Sequence, residues 1–185
     1  YADLFFEYRV GGAFVYDEGI LKTASRSVTM GLGVRVVRGD ATGFAYTEDF
    51  DFEVMKRAAV TAAAIATAGG APTPTKLTRK NASGRYDLAK VTLDVPGVDK
   101  RALLERGAKA AYAADPSVTK VEASIAEELR ELLIVTSDGH MVRDTQPLVR
   151  FGIRALTEKN GKRHEGSSGG GGRTTLAYFD TKSPE

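Results

Sequence analysis

The hydrophobic period of this chain changes twice along its length, and that change limits the folds open to it more than any other feature. Up to Tyr46 the apolar residues come in short runs of β character. Phe14, Val15 and Tyr16 form one run, Gly31-Leu-Gly-Val-Arg-Val-Val37 alternates with a period of two, and Thr42-Gly-Phe-Ala-Tyr46 follows. Turn residues separate these runs: Gly11-Gly12 as a hairpin, then Asp17-Glu-Gly19, then Arg38-Gly39-Asp40. The segment reads as a meander of short antiparallel strands.

From Phe52 to Ala68 the period lengthens. Asp51 can cap a helix in which Phe52, Met55, Ala59, Ala62 and Ala66 form an apolar stripe, and Gly69-Gly70 stops it. Stripe residues this small imply close packing on a sheet. Residues 71 to 98 are the least regular. Pro72, Pro74, Pro96 and Asn81-Ala-Ser-Gly84 read as a surface excursion, and the basic Lys76, Arg79, Lys80 and Arg85 lack the interleaved aromatics that stack on bases. A second helix runs from Lys100 to Ala114, capped by Asp99 and ended by Asp115-Pro116, with Leu103, Leu104, Ala108, Ala111 and Tyr112 inward.

Strand patterns then return. Val118 to Leu129 and Glu131 to Thr136 are strand-like, the first with a bend expected at Glu127-Glu128. Met141 to Arg143 and Pro147 to Leu156 follow, with Leu148, Phe151, Ile153 and Ala155 as inward positions. Asp138-Gly139 and Asn160-Gly161 are hairpin turns of the type I′ kind, and Leu176-Ala-Tyr-Phe179 reads as a last strand. The order is β-meander, helix, helix, β-meander. Strands segregated from helices predict an α+β fold with antiparallel sheet, and residues 1–185 are expected to form a single domain. A start at Tyr1 inside a strand pattern, and an end at Ser-Pro-Glu185, are expected of a piece of a longer protein.

Composition removes several chemistries. With no Cys there is no thiol nucleophile and no thiolate metal site, and His140 and His164 are the only histidines, so no site with several His ligands can form. A net charge of +2 gives no strong polyanion signal, so no DNA partner is expected. The longest near-apolar stretch, Ala58 to Ala68, is too short to span a bilayer, so no membrane is expected and the cytoplasm is the default compartment.

The unusual segment is Gly161-Lys-Arg-His-Glu-Gly-Ser-Ser-Gly-Gly-Gly-Gly-Arg173. His164-Glu165 opens like a zinc-peptidase motif, but no second His follows and the glycines would break the helix. No Lys-Ser or Lys-Thr follows the glycines, as a P-loop requires, and Ser167-Ser168 lacks a base. What remains is exposed backbone. Gly169, Gly170, Gly171 and Gly172, with Ser168 and Arg173, form either a plain loop or a surface where a substrate or partner backbone approaches. Arg163 and Arg173 flank the run and could pair a carboxylate. Replacing Gly170 and Gly171 together with Val is the expected way to separate the two readings.

These residues also resemble a known family. Gly161-Lys-Arg with Gly166-Ser-Ser-Gly-Gly-Gly-Gly-Arg173 closely resembles the end of the N-terminal domain of TldD-type proteins, in the TldD/PmbA (TldE) family once called modulators of DNA gyrase. Asp138-Gly139, Arg143 through Arg150, Asp3-Leu4 with Phe6, Ile20-Leu-Lys22, Gly31-Leu-Gly-Val-Arg35 and Thr42-Gly-Phe-Ala-Tyr46 match it in order and spacing. The resemblance covers nearly the whole chain outside residues 71 to 98. It implies a cytoplasmic zinc metallopeptidase subunit that works on small or unfolded peptides and assembles with a PmbA/TldE-like subunit or with itself. The family's His-Glu-x-x-x-His motif and its Cys are not in this sequence, so the resemblance implies that zinc belongs to a domain following Glu185 and that no catalytic or metal residue lies here. The role implied for these residues is to shape the peptide cleft and the subunit contact. Two other readings stand beside it: a non-enzymatic module that captures extended peptides, and a gyrase-linked regulator.

Overall fold

The computed structural model describes residues 1–66, 75–81, 84–86, 88 and 90–183. In chain order they form β1 (Ala2–Asp17), β2 (Ile20–Arg38), β3 (Ala41–Thr47), α1 (Phe52–Ile65), β4 (Thr78–Asn81), α2 (Gly97–Ala114), β5 (Val118–Thr136), β6 (His140–Lys159), β7 (Lys162–Gly172) and a short α3 (Tyr178–Thr181). The strands lie in the order β3-β2-β1-β5-β6-β4, with β7 also paired to β6. Strands β2 and β3 are antiparallel, as are β6 and β7, while the short β4 runs parallel to β6. Contacts from Ala2 to Ser137, Glu7 to Arg130 and Asp17 to Lys120 run in opposite senses, which makes β1 and β5 antiparallel too. The fold is α+β. Both meanders belong to one sheet, joined where β1 lies beside β5.

Contacts divide the chain into two units, and β1, β2, β5 and β6 give residues to both. In the first unit, Asp51 caps α1 by accepting from the Glu53 and Val54 amides. Ala58 and Ala62 of α1 are buried with Leu32 and Val34 of β2, and Leu4, Phe6 and Ala45 pack around them. The small residues bring helix and sheet very close. A Cβ at Gly43 would stand 1.9 Å from the Ala62 carbonyl oxygen, so only glycine fits beneath the helix.

The second unit buries Leu103, Leu104 and Ala108 of α2 against Val121, Ala123 and Ile125 of β5 and Val149 and Phe151 of β6. Leu104, Ile125 and Phe151 are almost fully enclosed, and each such side chain stabilises the fold by about 1.5–3 kcal/mol on leaving water. Beside this cluster the Lys100 ammonium donates to Glu127 Oε1 at 2.6 Å, with side chains only 3% and 2% exposed. It also sits 4.9 Å from the centre of the Phe14 ring.

That ion pair corrects the reading of Gly11-Gly12 as a turn. Both glycines lie inside β1, and a Cβ on Gly12 would fall 2.7 Å from Glu127 Oε1. Glycine is there to admit the carboxylate of the neighbouring strand. Glu127-Glu128 is likewise no bend, since β5 runs through it unbroken. Asp99 does not cap α2. The helix begins two residues earlier at Gly97, after Pro96, and Asp99 lies in its first turn. Phe52 and Leu148 are exposed rather than inward. Pro147, Val149 and Phe151 hold the inward parity of β6, so Leu148 faces the other way. Tyr112 is exposed as well, but its hydroxyl accepts from the Val121 amide.

Among the turns, Asn160-Gly161 has positive φ at both positions, 54° and 71°, as a type I′ hairpin requires. Asp138-Gly139 differs. Only Gly139 is left-handed, and its amide donates to the Thr136 carbonyl. This is a three-residue loop of Ser137, Asp138 and Gly139, the type I turn followed by a left-handed glycine. Leu176 to Phe179 form no strand. Tyr178 opens α3, and Phe179 is buried against Phe151. The expected stop at Gly69-Gly70 lies outside the described residues.

Candidate functional site: the glycine strand and its cleft

The glycine run is not a loop. It forms the C-terminal half of β7, in antiparallel register with β6: Gly152 faces Gly169, Phe151 faces Gly170, Arg150 faces Gly171 and Val149 faces Gly172. The type I′ turn starts this hairpin. Its charged half is fastened by Arg163 to Glu158 at 2.8 Å and Arg154 to Glu165 at 2.6 Å. The hydrogen bond from Arg154 holds the Glu165 carboxyl below its ordinary value. From Lys162 to Gly169 every residue of β7 is exposed. Among the described residues β7 pairs with no strand but β6, so its outer edge is bare.

The four glycines have two different reasons for being there. A Cβ on Gly169 would lie 2.5 Å from the Phe151 carbonyl oxygen, and one on Gly171 would lie 2.1 Å from that of Val149. Gly171 also has a φ of 142°. These two positions need glycine so that β7 can close on β6. At Gly170 the nearest atom to an added Cβ is Tyr178 Cε1 at 3.5 Å, an ordinary contact, and at Gly172 nothing lies within 4 Å. A joint replacement of Gly170 and Gly171 would therefore break the hairpin whatever the segment does. Gly170 and Gly172 are the positions where a side chain can be added without breaking the strand.

Beside β7 lies a cleft of about 450 Å³. Ser168, Gly169 and Gly170 form one wall, and Ala110, Ala111 and Ala114 of α2 form the other. Phe151 and Ile153 make the floor, and Tyr178 and Lys182 close one end. The helix can stand this near the sheet because of Gly107, where a Cβ would fall 2.7 Å from Phe151 Cζ. Three of the residues singled out from sequence, Ser168, Gly169 and Gly170, thus line one apolar groove. Gly171, Gly172 and Arg173 do not line it.

The arginines expected to pair an incoming carboxylate are engaged within the chain. Arg163 holds Glu158, and Arg173 donates to the Gln146 side-chain oxygen. His164 is exposed on β7, and His140 Nε2 lies 3.9 Å from Asp138 Oδ2. Among the described residues no group of three or more His, Asp or Glu side chains could hold a metal ion. The residues present therefore do not fit a catalytic zinc. No helix among them is long and apolar enough to cross a membrane. The helix wall of the cleft went unread in the sequence, although the spacing of Gly107, Ala110, Ala111 and Ala114 carries it.

Comparison with known proteins places this geometry. The PmbA/TldA metallopeptidase central domain matches residues 91–185, and domain 1 of the same family matches residues 2–66. The chain belongs to the PmbA/TldD family. Two curated relatives are named as metalloprotease TldD homologs. That of Haemophilus influenzae is 36% identical over 97% of this chain and 38% of its own length. That of Buchnera aphidicola subsp. Acyrthosiphon pisum is 31% identical over 97% of this chain and 37% of its own length. The chain thus spans under two fifths of these PmbA/TldD relatives. A Bacteroides thetaiotaomicron protein, described as a candidate modulator of DNA gyrase, has the same fold, with a TM-score of 0.71 at 12% identity over 94% of this chain and 41% of that one. TldE from Thermococcus kodakarensis aligns with a TM-score of 0.63 at 16% identity, over 93% of this chain and 40% of that one.

Proposed function

We propose that these residues are the N-terminal portion of a TldD-like metallopeptidase subunit, in which β7 and its cleft receive an extended peptide. The observation that carries this reading is the bare outer edge of β7 beside an apolar groove walled by small side chains. A peptide laid along that edge would gain main-chain hydrogen bonds and drop alternate side chains into the groove. Small or unfolded peptides satisfy this, since their backbone is free to extend along the edge. The zinc site is expected in the part of the parent protein that these residues do not cover. A PmbA/TldE-like subunit, or a second copy, is the expected partner in the cytoplasm.

The test uses dye-labelled unstructured peptides rich in apolar residues, read by fluorescence anisotropy. Gly170→Val should weaken binding by about tenfold or more, the equivalent of 1.4 kcal/mol, with the circular dichroism unchanged. Gly172→Ala, away from the groove, should bind normally. Equal binding by Gly170→Val and the parent chain would overturn the proposal. A peptide-binding module without an active site would share this geometry, and a His-Glu-x-x-x-His motif encoded beyond Glu185 separates the two.

A further inference from the structure

A second cleft, of about 480 Å³, lies wholly within the first unit, where β1, β4, β5 and β6 each give it residues. Its lining has the make-up of a ligand site, a largely apolar surface with a few polar groups. Phe6 and Phe50 meet edge to face with their ring centres 5.8 Å apart, and Leu133 and Met141 extend the apolar surface. Phe50 and Tyr8 remain 37% and 41% exposed, so aromatic surface is left open in the cleft.

The charges around this surface do not balance. Its two acids are already engaged: Glu7 is held by Arg130, and Glu131 accepts from Arg143 at 2.8 Å. Arg79 and Lys80 of β4 line the same cleft, and among the described residues neither side chain has an acidic partner. The parallel register sets Arg79 beside Met141, so a free guanidinium stands at the edge of the apolar surface. In sequence these two basic residues have no aromatic neighbours, and in the fold β1 and Phe50 bring the rings to them.

We propose that this cleft binds a small amphipathic carboxylate, with an aromatic or branched apolar body on Phe6, Phe50 and Met141 and its single carboxylate paired by Arg79. Covering two unpaired cations with an uncharged group is costly, so whatever fills the cleft has to bring negative charge. The planar fork of Arg79 suits a carboxylate, which it can hold by two parallel hydrogen bonds. A doubly charged phosphate fits less well, because Glu7 and Glu131 also line the cleft. The apolar lining asks for a hydrocarbon body. A free aromatic acid and the last residue of a peptide share this chemistry. The inference does not depend on the peptide reading of β7, which contributes nothing to this cleft.

Met30, Met55 and Met141 are the methionines of the chain, so NMR of methyl-labelled methionine reads the cleft directly. Titration with N-acetylphenylalanine should move the Met141 signal and leave that of Met30 in place. N-acetylphenylalaninamide, which lacks the charge, should bind about tenfold more weakly or worse. Arg79→Gln should weaken binding of the acid by the same factor, and because Arg79 is exposed the fold should be untouched. Arg79→Lys should recover part of the affinity, and added salt should lower it. Tighter binding of N-acetyl-Ala-Phe than of 3-phenylpropionate assigns the ligand to a peptide end, and the reverse to a free acid; either order supports the site. Gly170→Val should leave this binding unchanged, and Arg79→Gln should leave unchanged the binding of amidated peptides at β7. Calorimetry repeats the titration on the longer parent protein. An unmoved Met141 signal, equal binding of acid and amide, indifference to Arg79→Gln, or tighter binding of phenyl phosphate would overturn the proposal. So would a parent protein that fails to bind because its remaining residues cover the cleft.

Discussion

Replacing Lys100 with Met should be the most damaging single substitution outside the aliphatic core. Its ammonium and the Glu127 carboxylate are buried together at 2.6 Å, and Glu127 Oε2 has no hydrogen-bond partner. Removing the lysine leaves a carboxylate that is only 2% exposed without its ion-pair partner. Breaking a buried pair in this way costs about 3–5 kcal/mol. For a chain of this size each kcal/mol moves the melting temperature by about 2–4 °C, so a fall of roughly 6–20 °C is expected. The double variant Lys100→Met with Glu127→Leu removes both charges and keeps the volume, and should recover most of the loss or exceed the parent. Thermal and urea unfolding of the parent chain, both singles and the double supply the cycle. A single variant within about 1 kcal/mol of the parent, or a double variant as unstable as the worse single, would refute the reasoning.

Gly43→Ala should lift α1 from the sheet, because the added carbon meets the Ala62 carbonyl at 1.9 Å; a loss of about 3 kcal/mol is expected on urea unfolding. Gly171→Ala should cost about 1–3 kcal/mol through backbone strain, whereas Gly172→Ala should stay within about 0.5 kcal/mol; equal effects would show that β7 does not close on β6 as described. The Glu165 carboxyl is held below its usual 4.5 by Arg154, so the pair's contribution is complete above that value and disappears as pH falls through the lowered one. Protection of the β7 amides, relative to their intrinsic exchange rate at each pH, should therefore fall only in acid, and Glu165→Gln should abolish that step.

Much of the fold was legible because it rests on local rules. Asp51, the Asn160-Gly161 turn and the change from strand to helix period all act through neighbours in sequence. The failures share a different cause. Gly11-Gly12 looks like a turn to any local rule, yet its spacing serves Glu127, more than a hundred residues away in the chain. Leu176 to Phe179 alternate like a strand, but Phe179 finds a place beside Phe151 and the chain coils to seat it. Lys100 reads as a surface residue at a helix start, because nothing nearby in sequence announces a buried acid. Glycine is where this matters most. At Gly43, Gly107, Gly169 and Gly171 its absence of a Cβ lets two elements touch, whereas within the same run a Cβ at Gly170 or Gly172 would meet no clash. A run of four glycines thus hides two functions under one letter. Gly169 and Gly171 build the strand, and of the other two only Gly170 lines the groove.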